Sequence, residues 1–428
     1  MLAIAAHIPT TEIGTGYFQE THPQELFREC SVYVEYVADP KQMPRLLEIA
    51  MRAAIEQRGV AVLVIPGDVA LAEIADDRAV VIERSHPVIV PSGDELARAA
   101  TLLNASKKTT ILAGAGVEGA HDEVIALADR LGAPIVHALR GKEFIEYDNP
   151  FDVGMTGLLG FASGYRAMEA ADTLLVLGSD FPYEQFYPEH ATTIQVDIRG
   201  SQLGKRHPLD LGLVGDVRAT ADALLPRLAE KSDRDHLDDS TAHYRKTRAK
   251  LDDLATPTKA GRPIHPQYLA RLLDEQAADD AVFTADVGSP TVWAARYLSM
   301  TENRRLIGSF THGSMANALL HGIGAQVSHP DRQVIALAGD GGLAMMLGEL
   351  LTLTQNKLPV KTIVVNNSSL NFVELEMKAA GFVNYGTALD NPSFAAIAEA
   401  MGIFARRVEN SEDLPDACLL YTSDAADE

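Results

Sequence analysis

Short apolar runs recur along this chain, each closed by glycine, asparagine or aspartate and followed by a stretch with apolar positions three and four residues apart. Runs of this kind, without polar alternation, read as strands buried on both faces, and the amphipathic stretches between them read as helices. The clearest case is 334–373. Val334 to Ala338 is apolar and rich in strand formers, Gly339-Asp340-Gly341-Gly342 follows, and Leu343, Met346, Leu347, Leu350 and Leu351 fall at helical spacing. Pro359 closes that helix, and 362–365 predicts a second buried strand ending at Asn366-Asn367. Strand, helix, strand in this span predicts a βαβ unit with parallel strands and a right-handed crossover, so both carboxyl ends open on one edge of the sheet.

The same alternation organises the rest. Residues 2–6 and 60–65 predict strands, and 21–29 and 43–57 predict helices; this pattern starts mid-fold, as the back half of a domain whose front end is missing. Residues 69–95 carry two prolines, many charges and little periodicity, and read as a linker. A second pattern follows, with strands at 110–113, 134–139, 173–177 and 193–198, a helix at 122–131, and a close at Leu213-Val214-Gly215-Asp216. The charged stretch 231–264, with Pro257 and Pro263, reads as a helical linker with a solvated face. A third pattern then runs from a helix at 267–275 and a strand at 281–285 through the turn Asp286-Val287-Gly288-Ser289 to the 334–373 stretch. The expected architecture is α/β, with three doubly wound parallel-sheet domains at 1–68, 96–230 and 265–417, the first incomplete.

Composition narrows the function classes. The 428 residues are 46% hydrophobic and 22% charged, an ordinary globular balance. The net charge of −22 argues against nucleic acid or an anionic membrane as a partner of the whole surface. Cys30 and Cys418 are the only cysteines, too few for a disulfide framework or a thiolate metal site, and a reducing cytosol fits. No apolar run approaches the ~18 residues that would read as a membrane span, and the opening MLAIAAHIP lacks the basic start of a signal peptide.

Chemistry concentrates at strand ends. Asp340 sits just past one strand of the βαβ unit and Asn367 just past the other, so one ion can reach both. A carboxylate, an amide oxygen and a backbone carbonyl form an incomplete oxygen shell of the kind Mg²⁺ accepts when phosphate and water complete it. The glycines admit an anion close to the backbone, and a helix starting near Gly342 would point its N-terminus at it. The stretch therefore reads as a metal and diphosphate site, with a plain turn and loop as the alternative. In the second domain Gly114-Ala115-Gly116-Val117-Glu118-Gly119 spells GxGxxG after a strand. An NAD site would want an acidic residue at the end of the next strand, where Arg140-Gly141 stands instead, so a nucleotide of another kind is expected. Further glycine turns at 157–161 and 178–183 suit an extended dinucleotide, or are simply tight βα turns.

Gly339-Asp340-Gly341 followed by Asn366-Asn367 resembles the GDG…NN signature of the thiamine-diphosphate enzymes. The wider chain, 1 to about 417, resembles the pyruvate oxidase and pyruvate:quinone dehydrogenase branch of that superfamily, and especially its acetate-forming, quinone-dependent members. The segments that carry this are IPTTEIGTGYFQETHPQELF (8–27), HALRGKEFIEYDNPFDVGMTG (137–157), DVGSPTVWAARY (286–297) and HGSMANA (312–318). The resemblance implies a pyrimidine-binding domain, a central FAD-binding domain and a diphosphate-binding domain, with thiamine diphosphate, Mg²⁺ and FAD as cofactors. It makes Asp340, Asn367 and the Ser369 carbonyl the metal ligands. It places Gly341, Gly342, Ser368, Leu370, Asn371, Phe372 and Val373 around the diphosphate, and Gly313, Ser314 and Met315 at the thiamine. Met315 would prop the bent cofactor and Phe372 would lie near the reactive centre, the two residues given catalytic roles. Leu158, Leu159, Gly160, Phe161, Phe181, Pro182, Tyr183, Glu184, Gln185 and Arg199 would line FAD, with Arg199 standing where a smaller residue is expected.

The activity so implied is oxidative decarboxylation of pyruvate to acetate and CO₂, FAD accepting the electrons and a quinone reoxidising it. Sister activities are the alternatives: acetolactate synthase or another 2-oxoacid decarboxylase, or a non-catalytic nucleotide-binding fragment. Partners would be pyruvate, a quinone and, for the full-length protein, three further copies in a homotetramer. Its location would be cytoplasmic, peripheral to the inner face of the cell membrane through a missing C-terminal segment. The family's glutamate that hydrogen-bonds the aminopyrimidine belongs to the front of the first domain. Glu12, Glu20 and Glu25 lie in later segments, so no residue takes that role and this chain by itself is expected to be largely inactive. Residues 418–428 (CLLYTSDAADE) resemble a translated sequencing adapter and are set aside from the fold.

Overall fold

A computed structural model describes residues 1–74 and 81–422. The chain separates into two compact units, 1–87 and 88–428; the described residues form three sheets, every strand pair of which is parallel. The α/β expectation therefore holds.

In the first unit, β1 (Leu2–His7), β2 (Tyr33–Tyr36) and β3 (Ala61–Pro66) form a sheet in the order β1-β3-β2. The central strand β3 is the apolar run AVLVIP and is almost wholly buried. The Met43–Glu56 helix lays Ala50 and Ala54 against Ala61 and Leu63. Strand β2 was not expected; its tyrosines and glutamate mask the apolar period. The helix expected over 21–29 is shorter, Pro23–Arg28.

The second unit holds two sheets. The first comprises β4 (Thr109–Ala113), β5 (Ile135–His137), β6 (Asp152–Met155), β7 (Thr173–Leu177), β8 (Thr192–Asp197) and β9 (Leu211–Val214) in the order β6-β5-β4-β7-β8-β9. The second comprises β10 (Val282–Ala285), β11 (Arg305–Ile307), β12 (Val334–Gly339) and β13 (Lys361–Val365) in the order β11-β10-β12-β13. In each, the strand order reverses once, between β4 and β7 and between β10 and β12. Open α/β sheets bind ligands at that reversal, outside the carboxyl ends of the strands.

Four expectations change. Strand β13 is half-buried along its length rather than buried, because it lies at the sheet edge. The single helix expected after Gly342 is broken into Asp340–Met345, a 3₁₀ turn at Leu347–Glu349 and Leu350–Asn356. Leu343, Leu350 and Leu353 are buried and Leu347 packs half-buried against the same core, while Met345 and Leu351 are exposed, so no continuous apolar stripe holds one helix together. The 231–264 segment is helical over Asp235–Asp252 but is more than a linker. It packs on β6 and on the Ala162–Glu169 helix, with His236 Nε2 2.9 Å from Thr110 Oγ1 and Tyr244 edge-on to Phe161. Finally, a helix runs through Leu414–Thr422 with Cys418 buried in the core beside Leu414. No structural break falls at 418; residues 423–428 lie outside the described residues.

Candidate functional site

Strand β12 is buried from Val334 to Ala338, each large aliphatic there contributing about 1.5–3 kcal/mol. That packing delivers Asp340, itself buried, to the carboxyl edge. Asp340 Oδ1 accepts from its neighbour Gly341 N (2.9 Å). Its Oδ2 accepts from Ser368 N and from Asn391 Nδ2, both at 2.7 Å. Register pairing of Gly339 with Val365 places the 366–369 loop beside Asp340. The loop is shaped by its own side chains: Asn366 Oδ1 accepts from Ser368 N and Asn391 Nδ2 (3.2 and 3.0 Å), and Asn367 Oδ1 accepts from Ser369 N (3.0 Å). Ser368 holds a left-handed φ of 55°. Ser369 Oγ donates to Glu374 Oε2 (2.6 Å), and Leu370 N donates to Thr387 O (2.8 Å). Asn371 and Phe372 start the Asn371–Ala379 helix, Phe372 half-buried and Val373 exposed.

Asp286, at the end of β10, lies under the same edge and is 2% exposed. Its Oδ1 accepts from Ala318 N (2.8 Å) and its Oδ2 from Gly339 N (3.0 Å). Burial holds its carboxyl above the usual range, opposed by these amides, and burial likewise lowers His321, opposed by the Asp286 charge. The 313–317 loop is pinned by Asn317, whose Nδ2 donates to Ser314 O (2.7 Å) and whose Oδ1 accepts from Ser309 N (3.2 Å). Met315 is 37% exposed, so it is not plain core. A Cβ placed on Gly341 would lie 3.0 Å from Leu370 and 3.3 Å from both Leu389 and Met315 Cε. Gly313, Ser314 and Met315 on one side, and Asp340, Gly341, Gly342 and 367–371 on the other, thus meet at the β10/β12 reversal.

Asn366, Asp286, Asn391, Asn317 and Ser289, whose Oγ is 3.1 Å from Asn371 Oδ1, were not among the expected site residues. Asp286 had a legible signal, a carboxylate directly after a buried strand, as at Asp340. Asn391, 51 residues beyond Asp340 and outside any helix or strand, had none. Among the described residues no group of three or more His, Cys, Asp or Glu is placed to hold a metal. A cation at this edge would meet one carboxylate and neutral oxygens.

The residues expected to line FAD divide. Leu158, Pro182, Glu184, Gln185 and Arg199 are exposed, and Leu159, Gly160 and Tyr183 half-buried. Phe161 and Phe181, by contrast, are buried: Phe161 packs with Met155 and Ala295, and Phe181 is surrounded by Tyr183, Phe186 and Tyr187. These two rings support the surface rather than form it. Leu159 O and Gly160 O accept from Arg296 at 3.0 and 3.1 Å, tying this loop to the helix that follows Asp286. The GxGxxG loop is closed by backbone contact, with Gly116 N donating to Gly178 O at 2.9 Å.

Comparison with known proteins decides the family. Residues 96–224 match the thiamine pyrophosphate enzyme central domain, and 286–419 match the C-terminal TPP binding domain. A putative thiamine pyrophosphate-containing protein, YdaP, of Bacillus subtilis is 35% identical over 422 residues, 97% of this chain and 72% of the relative. The chain belongs to the thiamine pyrophosphate enzymes. Two further relatives cover 97% of the chain: pyruvate oxidase of Lactiplantibacillus plantarum, 27% identical across 70% of its length, and the acetolactate synthase large subunit of Corynebacterium glutamicum, 28% across 69%. The family's TPP binding domain match begins at Asp286 and takes in Met315, Asp340 and the whole 366–371 loop.

Proposed function

We propose that this chain carries the cofactor site of a pyruvate-oxidising enzyme that forms acetate and CO₂ and passes electrons through FAD to a quinone. One observation carries the proposal: Asp340 and the 366–369 loop, from adjacent parallel strands, are joined by the 2.7 Å bond from Ser368 N to Asp340 Oδ2. The residues fit the group. Three donors occupy the Asp340 carboxylate, which offers about four acceptor sites, and Asn367 Oδ1 uses one of its two. Asp340, Asn367 Oδ1 and the Ser369 carbonyl would hold Mg²⁺, and the first-turn amides of Gly342 and of 371–373 would face the diphosphate. When bound, thiamine diphosphate supplies a carbon acid and an electron sink for decarboxylation of a 2-oxoacid.

The chain's own part is placement and exclusion of water. Met315 and Leu370 flank Gly341 and narrow the space over it, and Phe372 stands half-buried at the start of the helix that follows the loop. For FAD, Leu158, Leu159 and 182–185 would offer the contact surface, with Phe161 and Phe181 beneath. The acetolactate synthase relative favours a second reading, in which FAD is structural and the product is acetolactate.

The test is anaerobic mixing with pyruvate of the chain joined to a front segment of the first domain that carries the family's glutamate, supplied with thiamine diphosphate, Mg²⁺ and FAD. Bleaching of bound flavin with acetate as product supports the first reading; acetolactate without bleaching supports the second. Bound cofactors with neither product would overturn both.

A further inference from the structure

Strand ends β10 and β12 lie side by side at the reversal, and the two loops that converge above them flank the Ala318–Ser328 helix and β12. One, 313–318, carries Met315; the other, 339–342, carries Asp340. What spaces them is a carboxylate between them. Asp286 accepts from Ala318 N through Oδ1 and from Gly339 N through Oδ2. Its own backbone is fixed, since its amide donates to Leu337 O (3.0 Å) and its carbonyl accepts from Thr291 Oγ1 (2.7 Å).

Each loop then transmits the placement. Asn317 ties Ser314 and Ser309 to the residue before Ala318, so a shift at Ala318 moves the Met315 loop as a body. Gly339 directly precedes Asp340. Contact confirms how little slack remains: a Cβ at Gly342 would lie 2.2 Å from Asp286 Oδ2 and 3.1 Å from Ala316 N. Position 342 is glycine because the carboxylate occupies the space.

We propose that Asp286 is a positioning residue that sets the spacing between the thiamine half of the cofactor site, at 313–315, and the metal and diphosphate half, at 339–342. The inference rests on the thiamine diphosphate reading above. Asp286 itself touches neither half of the ligand. Its effect is to let both halves be engaged at once, which matters only for a ligand that spans them.

The experiment measures binding of two probes to the full chain with Mg²⁺, by calorimetry or Trp293 fluorescence: thiamine diphosphate, which spans both halves, and inorganic diphosphate, which occupies one. Asp286→Asn, which sets an NH₂ against one of the two amides, is expected to weaken thiamine diphosphate about tenfold and inorganic diphosphate by about twofold or less. Equal weakening of both probes would mark a merely structural role and overturn the inference. Wild-type chain that binds inorganic diphosphate but not thiamine diphosphate more tightly would overturn the parent reading, and the inference with it. A stability cycle gives a second arm that needs no cofactor. The Gly342→Ala penalty is expected to shrink in an Asp286→Ala background, where the methyl has room; an unchanged penalty would show that the carboxylate does not set the loop spacing.

Discussion

Between β4 and β7 the crossing loops of the six-stranded sheet meet through backbone alone. Gly114 N and Gly116 N donate to Leu177 O and Gly178 O, and a Cβ on Gly178 would lie 2.4 Å from Gly116 Cα. Between β10 and β12 the loops of the four-stranded sheet are instead held apart by the buried carboxylate of Asp286, which accepts from Ala318 N and Gly339 N, while the buried Asp340 carboxylate ties the end of β12 to the loop after β13. Topology puts both reversals at a carboxyl edge, and the side chains just past the strands decide what the edge can bind. A glycine-on-glycine crossing leaves a neutral, close-packed ledge; a carboxylate crossing leaves acceptor capacity for a hard cation.

The largest expected effect breaks the first crossing. Gly178 sits at a φ of +55° with no room for a side chain, so Gly178→Ala combines backbone strain and overpacking, on the order of 3 kcal/mol of destabilisation in denaturant unfolding. A loss under about 1 kcal/mol would mean the loops re-space freely.

At the second crossing the effect should be chemical more than structural. Asp340→Asn is expected to cost about 1 kcal/mol of stability while abolishing the Mg²⁺ dependence of thiamine diphosphate binding, read by titration with and without chelator. Retained Mg²⁺ dependence would remove Asp340 from the ligand set.

A third test leaves wild-type stability nearly flat with pH and concerns a buried carboxylate of the six-stranded sheet away from its reversal. Asp152, on β6, lies with Oδ1 3.5 Å from His137 Nε2, with Lys142, Glu146 and Tyr244 around them. Burial, then the Glu146 charge, pushes Asp152 from 3.8 up to about 7. Burial, then Lys142, pushes His137 from 6.5 down to about 3. The Asp152 contribution is full below about 4 and is lost as pH rises through 7; the His137 contribution is full above 6.5 and is lost as pH falls through 3. Between about 4 and 6.5 the two slopes oppose, and unfolding free energy should be nearly flat with pH. Asp152→Asn leaves the His137 slope alone, so stability should climb from pH 3 to 6.5, by at most about 1.4 kcal/mol per pH unit. A flat profile in that variant would show that His137 is charged in the folded protein.

Much of this was readable in advance, for definite reasons. Strand β12 and the residues after it were placed correctly because a five-residue apolar run closed by Gly-Asp-Gly has few other uses. The broken helix was not, since apolar spacing reports where a stripe would fall and not whether Met346 and Leu351 find anything to pack against. Phe161 and Phe181 were expected along FAD through the resemblance alone, and tertiary packing buries both rings. Asn391 was invisible: an asparagine in irregular chain has no period to betray it.

By itself, the amino-acid sequence determined the parallel α/β character, the strand ends at which carboxylates and glycines stand, and the family, because these follow from local period and residue type. Strand order, the two reversals, the edge position of β13 and the arrival of Asp286 and Asn391 at a shared site were decided only in three dimensions. Each depends on pairing between residues tens of positions apart, and a local pattern carries no information about which distant partner it will meet.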